Sequence, residues 1–294
     1  MNNVAEGRFD SHAHYWSLED EASVHLRTML GPNVPSRYLS EEYRRDWGTV
    51  QRVVHVEALP ADGAAEVGWV CALPSPPDAV VAHCELQDQA SVERVARLPH
   101  VCGVRHVVNY DEREKHRCWP GLVRDVTTDE AWREGLLEVG KRGLPFDLQC
   151  NPRQLLLLCR WAQNAAVPEL VVDHLALAQL GGPEDARGLA EWREAVAAAA
   201  RLPRTFLKIS MLTRAFAGGW KESNRQRVLQ MVDEAIGLFG SSRCMWGSNG
   251  PVDATEGLPP MQADELWEEI LRGKVASDRQ WLLKGTCQTA YRLA

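Results

Sequence analysis

The chain has 294 residues, of which 45% are hydrophobic and 25% charged, and a formal net charge of −7. This is the composition of an ordinary globular protein, large enough for one α/β barrel or two small domains. An acidic balance without a Lys/Arg run excludes nucleic acid and anionic membrane surfaces as natural partners and leaves a small-molecule substrate as the expected one. The eight cysteines contain no Cys-x-x-Cys and read as packed, reduced thiols. The first nine residues carry no apolar leader run and no stretch of about 18 apolar residues occurs, so secretion and membrane spanning are disfavoured and a cytoplasmic protein is expected.

In chain order, β-branched apolar runs alternate with segments of helical period. Strands are predicted at residues 8–15, 50–58, 78–86, 101–109, 144–150, 169–175, 205–212 and 243–249. Helices are predicted between them at 88–98, 128–143, 151–166, 188–202 and 224–240, each with starting signals such as Asp88, Thr128 or Asn151. Eight strands alternating with helices predict a single (β/α)₈ barrel domain over residues 1–294. The aperiodic stretch 16–48, with a short helix at 38–47, is expected to be an insertion after strand 1 that forms part of a lid. No linker or repeat divides the chain, and homo-oligomerisation is left open.

Reactive groups of such a barrel lie at the carboxyl ends of its strands. Strand 1 supplies His12 and His14, two apart and therefore on one face of an extended segment. Strand 2 supplies His55 and Glu57; strand 3, His83 and Glu85; strand 4, Arg105 and His106; strand 5, Gln149. Strands 6 to 8 supply Asp173 and His174, Lys208 and Ser210, and Ser248 and Asn249. Any one of these residues could be a satisfied core histidine or a helix cap, but recurrence at every strand argues for a site. Adjacent strand residues point to opposite faces, so only one of each pair Arg105/His106 and Asp173/His174 is expected at the centre, with Arg105 and His174 favoured. Trp16, Trp119, Trp220 and Trp246 follow strands 1, 4, 7 and 8 and suggest an aromatic mouth. Arg113, Lys115, Arg117 and Arg124 lie beside it in one loop, at least half of them as plain solvated charges.

The ordered motifs His12-x-His14, Gly-Val-Arg-His (103–106), Asp-Leu-Gln (147–149), Asp-His-Leu (173–175), Lys-x-Ser (208–210) and Met-Trp-Gly-Ser-Asn-x-Pro (245–251) resemble the amidohydrolase-2 branch of the amidohydrolase superfamily. Within it, the closest resemblance is to lactone hydrolases of the fuconolactonase-like and pyrone-dicarboxylate lactonase-like kinds. The resemblance covers residues 9–293. It implies a (β/α)₈ barrel hydrolysing small, often carboxylated, cyclic esters, either without a metal or with one divalent ion. It also implies an aspartate on strand 8 as the water-activating base, and this chain carries Asn249 there. An amide has no useful basicity near neutral pH, so Glu57, His55 or His83 is expected to handle the proton.

The expected function is therefore a hydrolase opening a small, anionic lactone or related ester or amide. His12, His14 and His174 would polarise the carbonyl, directly or by holding one ion such as Zn²⁺, for which three histidines suffice. Asn249 would orient water or substrate. Arg105 would hold an anionic substrate group with its planar fork, the structural alternative being an Arg paired with Asp147 or Asp173. His55, Gln149, Lys208, Trp16 and Trp246 complete the expected binding residues. The alternatives are a carbon–carbon lyase or decarboxylase on the same scaffold, and a ligand-binding barrel without chemistry.

Overall fold

The computed structural model describes residues 7–19, 26, 34–182 and 184–293. Eight strands follow one another in a single parallel sheet in chain order: β1 (Arg8–Ala13), β2 (Val50–Val56), β3 (Ala79–His83), β4 (Val101–Val107), β5 (Phe146–Gln149), β6 (Leu170–Val172), β7 (Thr205–Ile209) and β8 (Cys244–Trp246). Helix α1 (Ser40–Asp46) precedes β2. The connections after it carry α2 (Gly63–Cys71), α3 (Gln89–Ala96), α4 (Glu130–Lys141), α5 (Pro152–Ala162), α6 (Ala186–Ala200) and α7 (Arg225–Phe239), and α8 (Pro260–Leu271) follows β8. The expected (β/α)₈ barrel is present.

Each strand is shorter than its apolar run; one to three residues at the end of each run lie beyond the strand, and the polar groups are divided between strand positions such as His12, Arg105, Gln149 and Lys208 and this rim. Helices α2 and α8 lie in segments where the sequence reading named none. Gly-Ala-Ala-Glu-Val-Gly-Trp-Val-Cys (63–71) has too little polar contrast around its circumference to show a helical stripe.

The first and last strands are joined beyond their formal ends. Ala13 pairs in parallel with Gly250, His14 N–H donates to Gly250 O at 2.9 Å and Asn249 N–H donates to His12 O at 2.8 Å. Asp10 fixes this seam from within. Its Oδ1 accepts from the backbone N–H groups of His12 (3.0 Å) and Ser248 (2.9 Å), and its Oδ2 accepts from the Tyr43 hydroxyl of α1 at 2.6 Å.

Side chains inside the barrel form a small apolar plug of Phe9, Val54, Val56, Val81, Val171, Phe206 and Met245, closed below by Cys287, Ala290 and Tyr291 of the C-terminal helix. The larger apolar layer lies between sheet and helices. Above the plug the interior turns polar. Of the expected insertion, the structure shows a two-stranded ribbon, Trp16–Ser17 against Arg37–Tyr38, and then α1; residues 20–25 and 27–33 lie outside the described residues.

Asp10→Ala would leave two backbone N–H groups and a tyrosine hydroxyl without acceptors in the buried seam, where each unsatisfied group costs about 1–3 kcal/mol. The expected loss in urea unfolding is about 3–5 kcal/mol, against less than about 1.5 kcal/mol for Tyr43→Phe, which removes one hydrogen bond only.

Candidate active site

The floor of the polar interior is a buried lattice of charges. Lys208, on β7 two residues beyond Phe206, is fully buried, and its Nζ donates to Asp147 Oδ2, lies 3.2 Å from Asp173 Oδ1 and reaches His12 Nδ1 at 3.1 Å. Asp147 also accepts from the Tyr291 hydroxyl at 2.7 Å. Arg105 caps the lattice: its Nε donates to Asp173 Oδ2 at 2.9 Å, one terminal nitrogen to Glu57 Oε1 at 2.9 Å, and the other to Gln149 Oε1 and, at 3.4 Å, to His174 Nε2.

Burial alone would lower the pKa of both cations, but Asp147 and Asp173 around Lys208, and Asp173 and Glu57 around Arg105, reverse the effect and keep both charged. Burial works against charge on Asp173 too, and the cations Lys208 and Arg105 overcome it, holding its pKa well below the usual carboxylate value. Asp147 is pushed up to about 6 by burial, with Asp173 adding to the rise and Lys208 opposing it. Glu57 is raised, first by burial. Burial, aided by Lys208 at His12 and by Arg105 and Lys208 at His174, keeps both imidazoles neutral, and it brings His14 down to about 3 with Arg105 and His55 contributing.

These contacts assign the imidazole protons. His12 Nδ1 lies 3.1 Å from Lys208 Nζ and 3.5 Å from Asp173 Oδ1; an ammonium can only donate, and as the shorter contact it makes Nδ1 an acceptor and leaves the proton on Nε2. That buried Nε2 has no partner among the described residues. His14 Nδ1 lies 2.8 Å from Val56 O; a carbonyl only accepts, so Nδ1 carries the proton and Nε2 a lone pair. Arg105 donates to His174 Nε2, which puts the His174 proton on Nδ1, 2.9 Å from Ser210 Oγ. His12 is therefore a donor toward the centre, while His14 and His174 are acceptors.

The three histidines do converge: the His12 ring centroid is 4.9 Å from that of His14 and 4.4 Å from that of His174. Asp173 and His174 both enter the centre, against the expectation that only one would. The β6 pairing stops at Val172, and His174 has a left-handed φ of 59°, so strict alternation ends between the two. Left-handed backbone continues through Leu175, Ala176 and Leu177, a costly conformation for branched residues that persists where tertiary packing enforces it.

Over this floor lies a cavity of two lobes. The central one, about 50 Å³, is lined by His14, Trp16, Glu57, Arg105, His174 and Asn249 among others. The outer one, about 370 Å³, is lined by His83, Glu85, Gln87, His106, Leu122 and Pro120. Glu57, Leu59, Val107 and Trp119 border both lobes.

Other expected site residues lie elsewhere. His55 is on the outer face of β2, because Val54 and Val56 take the inward positions; its Nδ1 accepts from Tyr15 N–H and its Nε2 lies 3.5 Å from Glu66 Oε1. His83 belongs to the outer lobe, its Nε2 3.3 Å from Glu85 Oε1. Trp246 faces outward against Trp47, with the Arg8 guanidinium 4.4 Å over its ring; Trp220 borders neither lobe, whereas Trp16 and Trp119 do. Arg113, Arg117 and Arg124 are engaged by Asp111 and Glu191, by Glu114 and by Asp129.

Three acids escaped the sequence reading as parts of the site: Asp10, Asp147 and Asp253. Asp147 is two residues before Gln149 on the same strand face, a spacing that could have revealed it. Asp253 is one helical turn beyond Asn249 and accepts from its Nδ2 at 2.7 Å.

The residues 9–293 match the family model described as amidohydrolase. The chain belongs to the amidohydrolase family. The L-fucono-1,5-lactonase of Burkholderia multivorans is 27% identical over 305 residues, spanning 97% of this chain and 96% of the relative. A crystal structure of an amidohydrolase from the same species with bound zinc is 25% identical, with a TM-score of 0.81 over 98% of this chain and all of that one. A putative 2-pyrone-4,6-dicarboxylic acid hydrolase from Pseudomonas putida, 23% identical over 98% of both chains, shares the fold with a TM-score of 0.73. This amidohydrolase is accordingly a hydrolytic enzyme.

Family membership raises the question of a metal. His12, Asp173 and His174 offer ligand atoms within 4.8 Å of one another, with Asp173 in the place expected for His14. The arrangement does not fit an ion as it stands. Lys208 holds the His12 proton on Nε2, Arg105 occupies the His174 Nε2 lone pair, and both cations already neutralise Asp173.

Asp253 gives a pH dependence. Burial pushes its pKa from 3.8 up to about 7, so the folded state favours the protonated acid. The stability this contributes is fully present below the unfolded value and is lost as pH rises through about 7. Asp253→Asn removes the cost of burying the charge, and its melting temperature is expected to exceed that of the native chain by several degrees at pH 8 and to match it near pH 4, as read by calorimetry across that range.

Proposed function

We propose that this amidohydrolase opens a small hydroxylated lactone by water attack, with its own buried cations in place of a metal ion. The observation that carries the reading is the assigned set of imidazole protons: one unpartnered donor, His12 Nε2–H, beside the His14 Nε2 lone pair at the central lobe, with the His174 lone pair taken by Arg105. His12 would donate to the carbonyl oxygen as negative charge develops there, an electrostatic contribution strengthened by exclusion from water. The water oxygen bonds to the carbonyl carbon, the ring C–O bond breaks, and the water's protons end on the alkoxide formed and, at neutral pH, in solvent as the acid ionises. Glu57 and His14 are the proton acceptors facing the cavity; His55 and His83 are too far to one side.

Arg105 acts here as the clamp on Glu57 and Asp173 rather than as a free fork for an anion. Arg214, the other arginine bordering the central lobe among the described residues, is paired with Glu256. With Glu57 and Glu85 lining the lobes, the lining favours a neutral ligand rich in hydroxyl donors over a dicarboxylate. This agrees with the chemistry in the name of the Burkholderia relative and departs from the anionic lactone expected from sequence.

The test is a pH-indicator assay of purified, chelator-dialysed protein on six-carbon sugar 1,5-lactones and on aromatic dicarboxylate lactones. Turnover of a sugar lactone with kcat/KM at least about tenfold above any dicarboxylate supports the reading; loss of all activity on dialysis, restored by zinc, overturns the metal-free part. Carbon dioxide release would favour the lyase alternative.

Arg105→Lys keeps one charge but cannot bridge Glu57, Asp173 and Gln149 together. The expected result is a fall in kcat/KM of about a hundredfold, equivalent to about 3 kcal/mol, together with a lower unfolding midpoint. A fall in stability alone would assign Arg105 a purely structural role.

A further inference from the structure

The strand 8 position that carries a neutral amide in this chain sits one turn from a buried carboxyl, and the contact between them has a direction. Asn249 has a left-handed φ of 50°, a conformation asparagine tolerates, and its backbone N–H is spent on His12 O at 2.8 Å. Its Nδ2 donates to Asp253 Oδ1 at 2.7 Å. Asp253 Oδ1 lies 3.2 Å from the Thr213 hydroxyl just beyond β7, whose single proton has its shorter contact with Glu256 Oε2 at 2.9 Å. Ionised or protonated on its other oxygen, Asp253 offers the amide an acceptor at Oδ1.

With the amine end of Asn249 turned to Asp253, its carbonyl end is left for the central lobe, which it lines together with His14. The adjacent His14 Nε2 is also an acceptor, because Nδ1–H is given to Val56 O. The His14 ring lies within hydrogen-bonding reach of the Asn249 side chain; with a lone pair on each, the two cannot satisfy each other and need a donor with two hydrogens. The lobe's volume of about 50 Å³ leaves room for water beside them.

We propose that Asp253 is a positioning residue that locks the Asn249 amide with its oxygen toward the cavity, where Asn249 Oδ1 and His14 Nε2 together hold and aim the attacking water. The proposal rests on the hydrolase reading above and specifies its nucleophile. It also accounts for the amide: an aspartate at position 249 would set two carboxylates at hydrogen-bond distance in a buried turn, where only one could ionise readily.

The experiment combines kinetics on the best lactone with a ¹H–¹⁵N spectrum of asparagine-labelled protein, in which the Asn249 side-chain amide is assigned by its loss in Asn249→Ser. Asp253→Ala is expected to lower kcat about 30- to 100-fold with KM within about threefold, and to release the Asn249 amide protons to fast exchange. Asp253→Asn retains an acceptor and the side-chain volume, so it is expected to keep kcat within about threefold and the amide protons protected; it also keeps the test alive if the alanine variant does not fold. Equal losses in both variants, an undiminished kcat in Asp253→Ala, or an Asn249 amide that exchanges freely in the native chain would each overturn the proposal. If the native chain hydrolyses no lactone, the hydrolase reading fails, while the spectrum still decides the orientation of the amide.

Discussion

One ammonium group on the barrel axis governs this site. Lys208 is fully buried between Asp147, Asp173 and His12, and an ion so placed is tolerable only because acids surround it. Once it is there, much else is determined. Asp173 must stay ionised, Arg105 can join it from above, His12 must turn a lone pair toward the ammonium and carry its proton on the other nitrogen. The same field, with burial, keeps the three histidines neutral, so the centre presents the His12 N–H donor and the His14 lone pair at neutral pH, the His174 lone pair being taken by Arg105. In a water-excluding interior such fixed dipoles act without having to reorient during reaction.

On the proposed reading, this arrangement takes the place of the metal found in a related barrel. The donor set His12, Asp173 and His174 is present, yet each member already faces a cation of the chain itself. On the hydrolase reading proposed above, the positive charge needed near a carbonyl that becomes anionic would come from Lys208 and Arg105, held in position by the sheet. The cost is that Arg105, saturated by Glu57, Asp173 and Gln149, has no free fork for a substrate carboxylate, and that limits which lactones suit the cavity.

The barrel was legible because strand and helix periods alternate over most of the chain, and the strand ends named most of the rim in advance. His12, His14, His174, Glu57, Arg105, Gln149 and Asn249 all reach one centre or its lining. What failed was local geometry that period alone does not encode. Alternation placed His55 inward, whereas Val54 and Val56 fill those positions because the plug beneath needs apolar volume. Alternation also separated Asp173 from His174, and the left-handed turn at His174 brings them together. Trp246 reads as a rim aromatic but packs behind the sheet with Trp47 and Arg8. The partners of Lys208 and Asn249 were invisible because hydrogen-bond direction depends on which group lies opposite, and Asp147 and Asp253 look like ordinary strand and turn acids until the fold sets them there.

The central claim is that Lys208 and Arg105 assign the histidine protons. Long-range ¹H–¹⁵N correlation of histidine-labelled protein at neutral pH reads ring tautomers directly. The account requires His12 as the Nε2–H tautomer and His14 and His174 as Nδ1–H tautomers, all neutral. A His12 ring protonated on Nδ1, or found as an imidazolium, would contradict it.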